Sequence, residues 1–228
     1  MDGFTSNRRK MRMLNREGLV SQRTYNLTLI GTLFYGLIVN VILCLLVGDV
    51  TRYISPLAFL VLYFISAFAG TMISARSNNP LISFLGYNMV VVPIGLVISM
   101  TVEMYSSMSP DVVFQAFVLT ACVTGGMAFV GIYNPELCSQ LGGILFGCLF
   151  GLLIANVVIW IFGIHTMANS WFGMFLFSMY IAYDVYRSQQ FPPTINNAIG
   201  CALDIYLDIA NLFLDILRIL GNKNSRNN

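Results

Sequence analysis

Seven apolar stretches, separated by short polar or proline-containing breaks, make up most of the chain. Each has about the 20 residues that an α-helix needs to cross the hydrocarbon core of a membrane. The breaks contain turn residues, including prolines that are tolerated in the first turn of a helix. The pattern predicts an all-α integral membrane protein with seven transmembrane helices. Predicted helices 1 to 7 are Asn26–Val47, Ile54–Ala75, Leu81–Met104, Val112–Tyr133, Cys138–Phe162, Ala168–Gln189 and Thr194–Gly221.

Helix 7 is the apolar stretch that carries the most charge. Its polar residues recur at spacings of four and three, which places them in a wedge about 80° wide on one face of the helix. Because a carboxylate facing lipid is costly, this polar stripe should face the bundle interior or a water-filled cavity. The other helices are therefore expected to surround helix 7. The stripe consists of Asp204, Asp208, Asn211, Asp215 and Arg218.

Two further helices contain residues with special packing roles. Pro93 interrupts helix 3 and should kink it, unless a neighbouring helix satisfies the carbonyl that proline leaves without a donor. Gly143, Gly147 and Gly151 follow one another at spacings of four in helix 5. Such a row allows another helix to approach closely, so we predict a packing seam there, within one chain or between two, rather than a ligand site.

Composition supports a membrane protein and excludes several other classes. Of 228 residues, 57% are hydrophobic and 10% are charged, whereas soluble domains average about 25% charged residues. A net charge of +2 argues against a nucleic-acid partner. The five cysteines are interpreted as membrane-buried thiols, and no zinc-type spacing is present. The single histidine, His165, lies in a predicted loop and is not expected to be a ligand or a catalytic group.

The distribution of basic residues predicts the orientation of the chain. Residues 1–25 contain six of the 12 basic residues and form a predicted cytoplasmic tail. Residues 26–221 then form a single transmembrane domain, and 222–228 form a short polar C-terminal tail. Seven complete crossings would place Lys223 and Arg226 outside, against the usual bias. Whether helix 7 crosses completely is therefore left open.

Carboxylates on helices 6 and 7 provide the candidate chemistry. Asp184 lies near the end of helix 6, and a short proline-containing turn makes the two helices antiparallel neighbours. At about 1.5 Å per residue from that turn, Asp184 and either Asp204 or Asp208 lie at comparable depths. Two such carboxylates share a proton and titrate as a pair, which makes a pH switch. When both are ionised, they offer oxygen ligands to a cation such as Ca²⁺.

Each of these polar residues also has a purely structural interpretation. Asp184 and Asp208 can act as interhelical hydrogen-bonding groups worth only about 1 kcal/mol each. Asp215 precedes Arg218 by three residues on the same face and can be its ion-pair partner. Arg76, at the predicted cytoplasmic end of helix 2, is either an anchor at the membrane interface or a latch for Asp184.

Two motifs resemble those of a known family. Tyr183-Asp184 ends helix 6, and helix 7 contains the run Tyr206-Leu207-Asp208-Ile209-Ala210-Asn211-Leu212-Phe213. These resemble the Bax inhibitor-1 family, also called the transmembrane Bax-inhibitor-motif family, in its bacterial form. The second motif is the more specific. The basic tail and the seven apolar segments match as well, so the resemblance extends over nearly the whole chain.

The resemblance implies a fold in which the C-terminal helix is wrapped by six others. It also implies a pH-sensitive Ca²⁺ leak, with Asp184 and Asp208 as pH sensor and cation site. An arginine near the cytoplasmic end of helix 2 is associated with latching the first aspartate, and Arg76 occupies that position. The protein is then not an enzyme. Its expected partners are the lipid bilayer, Ca²⁺ as transported ion and protons, with no cofactor and with protein partners unknown.

The chain also departs from the family pattern. Asp204 stands where the family usually has an uncharged residue, Asp215 is another extra acid, and helix 3 lacks the glutamate-glycine pair of many members. Additional acids can strengthen cation binding, or can favour protonation through repulsion. Ion preference and pH midpoint therefore stay open. The compact form without a recognisable targeting peptide favours a prokaryotic plasma membrane.

Two other functional classes fit part of the pattern. A di-aspartyl intramembrane protease would use its aspartates as acid and base, but the Gly-x-Gly-Asp sequence of such enzymes is missing before Asp204 and Asp208. A serine-type membrane protease fits less well, since no Gly-x-Ser-x-Gly accompanies the one histidine. A membrane interaction or scaffold protein without ion flux would use the stripe only for helix packing. The Ca²⁺ leak channel is the leading hypothesis.

Overall fold

The computed structural model describes residues 18–47, 55–107, 110–163 and 167–225. Over these residues, the regular secondary structure is helical throughout, which confirms the predicted all-α fold. Residues 1–17 of the predicted basic tail, His165 and Arg226 lie outside the described residues. The seven helices α1 to α7 are Gln22–Leu46, Pro56–Arg76, Pro80–Ser106, Pro110–Tyr133, Pro135–Phe162, Ala168–Ser188 and Ile195–Ser225.

Local sequence explains where these helices begin and end. Helices α2 to α5 each begin at a proline, whose fixed φ and missing N–H suit the first helical position. The Oγ of Ser21 accepts a hydrogen bond from the backbone N–H of Thr24 at 3.1 Å, and this cap starts α1 earlier than the predicted Asn26. Helix α7 continues to Ser225, beyond the predicted end at Gly221. Gly221 lies against the ring of Tyr105, so this glycine serves a close contact rather than a helix end.

The helices differ in how much apolar surface they expose. Within the described part of the chain, α1 to α5 are long and apolar enough to cross a membrane. Helices α6 and α7 are more polar, and α7 is mostly buried, with buried residues on every side. A helix enclosed by protein needs no apolar exterior. This burial agrees with the predicted central position of the C-terminal helix.

The chain forms two compact units, each assembled from separate stretches. The first unit contains residues Met1–Glu103 and Ser188–Tyr206, and the second contains Met104–Arg187 and Leu207–Asn228. Helix α7 is continuous and supplies its first part to the first unit and its remainder to the second.

In the first unit, α2 and α3 approach one another through a pair of glycines. A Cβ added at Gly70 would lie 2.6 Å from the carbonyl oxygen of Gly86, and a Cβ at Gly86 would lie 2.7 Å from that of Gly70. Both distances are far below van der Waals contact, and the opposing atoms are backbone. Only glycine therefore permits this seam.

The interruption at Pro93 is compensated by a neighbouring helix. Proline has no N–H, so the carbonyl of Met89, four residues earlier, lacks its usual intrahelical donor. The Oγ of Ser66 on α2 donates to this carbonyl oxygen at 2.6 Å. Helix α3 is consequently continuous from Pro80 to Ser106. This is the alternative to a kink that the sequence analysis anticipated.

Within the first unit, hydrogen bonds connect residues 20–40 to residues 188–206. Asn40 of α1 and Tyr206 of α7 exchange hydrogen bonds, with the amide nitrogen donating to the phenol oxygen at 2.8 Å. The hydroxyl of Tyr25 donates to the carbonyl of Ser188 at 2.8 Å. The N–H of Val20 donates to the carbonyl of Pro193 at 2.9 Å. The start of α1 is thus tied to the connection between α6 and α7.

In the second unit, α6 packs closely against α4 and α5. Gly131 of α4 lies against the carbonyl of Ala182, and Gly142 of α5 lies against the phenol of Tyr183. Leucines of α5 and α6 fill the space between these helices. The buried leucines are Leu145, Leu152 and Leu176.

Among the described residues, no helix packs along the glycine row of α5 where a seam was predicted. Gly143, Gly147 and Gly151 are exposed, and a Cβ added at any of them would meet nothing within 4 Å. The glycine of α5 that does permit close approach is Gly142, whose side of the helix faces α6. Spacing alone indicated a shared face but not which face the neighbouring helix covers.

Gly86→Ala is expected to destabilise the protein by about 1–3 kcal/mol, the usual cost of forcing a methyl group into a filled contact. The methyl would meet backbone atoms of α2, which cannot rotate away. Thermal unfolding in detergent micelles measures the change. The matched control is Gly147→Ala, which introduces the same methyl at an exposed helical position and should be neutral or slightly stabilising. Equal losses in both variants would contradict the glycine contact.

Ser66→Ala is expected to cost about 1–2 kcal/mol, because the Met89 carbonyl would lose its donor in a place that water does not reach. Chemical denaturation in micelles measures this change. The control is Ser178→Ala, since the Ser178 hydroxyl donates at the same 2.6 Å to the carbonyl of Met174 within its own helix. That carbonyl has a helical amide as a further donor. The control should therefore lose much less stability.

Candidate functional site

Asp184 and Asp208 are buried carboxylates that both belong to the second unit. Asp184 on α6 is 8% exposed, and Asp208 on α7 is 6% exposed. The direct contact that the sequence analysis predicted between these two carboxylates stays a prediction.

The tyrosines of α6 have different surroundings. Tyr183 precedes Asp184 directly in the sequence, but its phenol packs against Gly142 of α5. Tyr180 is on the same helical face as Asp184, because residues four apart lie above one another. It packs beside the leucine cluster of α5 and α6, with its ring centroid 6.4 Å from that of Phe177.

Arg187 is the basic residue that the structure places beside Asp184 in the second unit. Its Nη1 lies 3.8 Å from Asp184 Oδ1, and its side chain is 37% exposed. An ion pair this open to its surroundings contributes little to stability, typically about 0–1 kcal/mol. The sequence analysis used Arg187 only for orientation. The three-residue spacing from Asp184 was available as a signal.

Arg76, the predicted latch, lies at the end of α2 in the first unit. Its side chain is exposed and lines an open groove with Met72, Ile73, Ser77 and Ile82. Asp184 belongs to the second unit. The pairing of Arg76 with Asp184 stays a prediction.

Asp215 occupies a separate polar cluster at the junction of α6 and α7. Its Oδ1 lies 3.3 Å from Arg218 Nη1, which is the ion pair that the three-residue spacing predicts. The Ser170 hydroxyl also donates to this carboxylate. Oδ2 of Asp215 lies against Gly173, where no larger residue would fit. These contacts give Asp215 a structural explanation, since it clamps α6 to α7.

The two remaining residues of the predicted stripe do not extend the aspartate pair in the second unit. The amide nitrogen of Asn211 donates to the carbonyl of Leu207 in its own helix at 2.8 Å. Asp204 is half-buried and lies in the part of α7 that belongs to the first unit. The stripe is therefore one face of one helix, but its members have different neighbours.

The described ranges contain no group of three or more His, Cys, Asp and Glu side chains arranged to hold a metal ion. The predicted cation site consists of the two carboxylates Asp184 and Asp208 alone. Two carboxylates supply fewer oxygens than the six to eight that Ca²⁺ usually takes. A Ca²⁺ ion bound there would need further oxygen ligands, such as water.

Comparison with known proteins identifies relatives over nearly the whole chain. The family model described as inhibitor of apoptosis-promoting Bax1 matches residues 17–225. An uncharacterised membrane protein of Streptococcus pyogenes serotype M1 is 30% identical over 192 residues, covering 80% of this chain and 79% of the relative. Inner membrane protein YbhL of Escherichia coli K12 is 31% identical over 140 residues, covering 57% and 58%.

A eukaryotic relative is also similar to part of the chain. Bax inhibitor 1 of Saccharomyces cerevisiae is 30% identical over 131 residues, which cover 51% of this chain and 43% of the yeast protein. The residues matched by the family model include all seven helices, Asp184, Asp208 and Asp215. The seven-helix fold, the five strongly apolar helices and these relatives agree with one another. The chain is an integral membrane protein and belongs to the Bax inhibitor-1 family.

Proposed function

We propose that this protein is a pH-sensitive Ca²⁺ leak channel, gated by the protonation of Asp184 and Asp208. The observation that carries the proposal is the burial of two carboxylates in the second unit, Asp184 on α6 and Asp208 on α7. Membership in a membrane protein family associated with transport supports the same direction.

The physical basis is the cost of charge in a site sheltered from water. Two ionised carboxylates in one sheltered neighbourhood repel each other strongly, so they hold either a shared proton or a cation. With a proton, the pair can hydrogen-bond and hold α6 and α7 together. Without one, the pair attracts a cation and loses that bond. Proton concentration thereby controls both the affinity for the ion and the packing of the two helices.

The same proposal includes where and how the protein acts. It lies in the plasma membrane of a prokaryotic cell with its N-terminus in the cytoplasm, and it passes Ca²⁺ without catalysing a reaction. Its partners are the bilayer, Ca²⁺ and protons. Arg76 serves as the latch that holds Asp184 in the closed state.

Asp184→Asn and Asp208→Asn are each expected to abolish the pH dependence of Ca²⁺ entry into dye-loaded proteoliposomes. The protonated fraction of a carboxylate pair changes with pH, whereas asparagine does not titrate. The unmodified protein should therefore show a strong pH response, and each variant should be nearly flat.

Asp111→Asn serves as the control for this experiment, because Asp111 is an exposed residue in the first turn of α4. It should retain the pH response of the unmodified protein. A response that persists in both aspartate variants would refute the proposal. If the unmodified protein passes no Ca²⁺ at any pH, the interaction or scaffold function becomes the better explanation.

Arg76→Gln is expected to raise Ca²⁺ entry several-fold at the pH where the unmodified protein leaks least, since a latch holds the closed state. Arg187→Gln is the matched comparison, because it removes the other basic residue that bears on Asp184. Its partly exposed pair contributes little, so we expect less than about a twofold change. The same liposome assay measures both. The opposite ranking would assign the latch to Arg187.

A further inference from the structure

We propose that the open groove at the end of α2 binds an anionic phospholipid, whose phosphate pairs with Arg76 and whose acyl chain lies along the apolar lining. That lining consists of Met72 and Ile73 on α2 and Ile82 on α3. All of these residues belong to the first unit. Lipid binding in this groove does not depend on the aspartate pair or on ion flux.

Arg76 offers a cation that the protein itself does not neutralise. Its side chain is exposed, and within the described residues it takes part in no hydrogen bond or ion pair. Residues 50–102 contain no aspartate or glutamate, and Glu103 lies near the opposite end of α3. A guanidinium binds phosphate oxygens through charge-assisted hydrogen bonds, often two at once. An anionic headgroup therefore finds a free partner here and no nearby acid in α2 or α3 to repel it.

The N-terminal ends of two helices add positive partial charge beside Arg76. Helix α3 begins at Pro80, directly after the short turn that follows Arg76. The side-chain amide nitrogen of Asn196, in the first turn of α7, donates to the carbonyl oxygen of Ser77 at 3.4 Å. The start of α7 therefore reaches the same turn. Helix N-termini favour anions through their dipole and their unpaired N–H groups, so both ends reinforce the guanidinium.

The lining of the groove changes from apolar to cationic along the direction in which a phospholipid does. Helix α2 has 21 residues, and at about 1.5 Å per residue its length is close to the thickness of the hydrocarbon core. Arg76 is its last residue and its one charged residue, so the guanidinium lies at headgroup level. Met72 and Ile73 lie about one turn deeper, and Ile82 lines the groove from α3. The open volume is about 420 Å³.

A site of this kind differs from the general attraction of basic residues to an anionic membrane surface. General attraction acts on any exposed arginine near the surface and amounts to about fivefold in binding for each one. Arg23, in the first turn of α1, is exposed, belongs to the same unit and does not line the groove. Arg23 is therefore the matched cation, since general attraction predicts equal effects of the two arginines and the groove predicts an effect of Arg76 alone.

The test is native mass spectrometry of the purified protein, titrated with phosphatidylglycerol or with phosphatidylcholine of the same acyl chains. The unmodified protein should bind its first phosphatidylglycerol about fivefold or more tightly than its first phosphatidylcholine. Arg76→Gln should remove this preference, and Arg23→Gln should retain it. Ile82→Trp and Met72→Trp each fill the groove and should weaken the first binding step several-fold. Leu60→Trp, at an exposed position elsewhere on α2, should not. Thermal unfolding identifies the variants that fold.

Three results would overturn the lipid site. Equal losses in Arg76→Gln and Arg23→Gln would assign the preference to general surface charge. Unchanged lipid binding in a folded variant with a filled groove would show that the acyl chain does not lie there. Displacement of the lipid by inorganic phosphate at a similar concentration would indicate a site for a soluble anion, whereas a bound acyl chain should make phosphate ineffective. Lipid binding is measured without Ca²⁺, so its outcome and that of the liposome flux assay are independent.

Discussion

The cost of exposing an ionised carboxylate to hydrocarbon is the constraint on which this structure depends. Helix α7 carries Asp204, Asp208 and Asp215, so lipid cannot surround it and protein must. Its burial on every side follows from that requirement. Helices α1 to α5 are the ones that expose many large hydrophobic side chains and are apolar enough to cross a membrane. The aspartates of α7 therefore provide the candidate functional groups and also require the burial of the helix that carries them.

Close helix packing in this protein combines glycine with polar side chains. An apolar side chain gains little by moving from lipid tails to the surface of another helix. Close packing and hydrogen bonds must therefore supply the free energy of helix association. Gly70 and Gly86 bring α2 and α3 into backbone contact, and Ser66 bridges the same two helices at the Met89 carbonyl. In the second unit, Gly173 admits the Asp215 carboxylate against α6. Each glycine creates space that a neighbouring backbone or polar group uses.

The sequence predicted features that depend on one helix and missed those that depend on two. Apolar length and proline placement specified all seven helices, and a three-residue spacing anticipated the ion pair of Asp215 and Arg218. Within the described residues, the glycine row of α5 forms no seam, since an added Cβ would meet nothing within 4 Å, and a seam between two chains stays a prediction. The contact between Gly142 and Tyr183 was overlooked because a single helical face does not reveal which neighbour covers it. The roles of Asp184, Asp208 and Arg76 stay predictions.

The hydrogen bonds between the N-terminal part of the chain and residues 188–206 have a consequence for how the protein is made. Val20, Tyr25 and Asn40 all bond to residues between Ser188 and Tyr206, which the ribosome produces much later. The first three helices enter the membrane with the Asn40 amide still lacking the Tyr206 phenol. Chains fold progressively as they are synthesised. The first unit therefore lacks these hydrogen bonds until α7 has been synthesised. Insertion of the last helix therefore completes the first part of the protein, and a nascent chain that stops before it cannot mature.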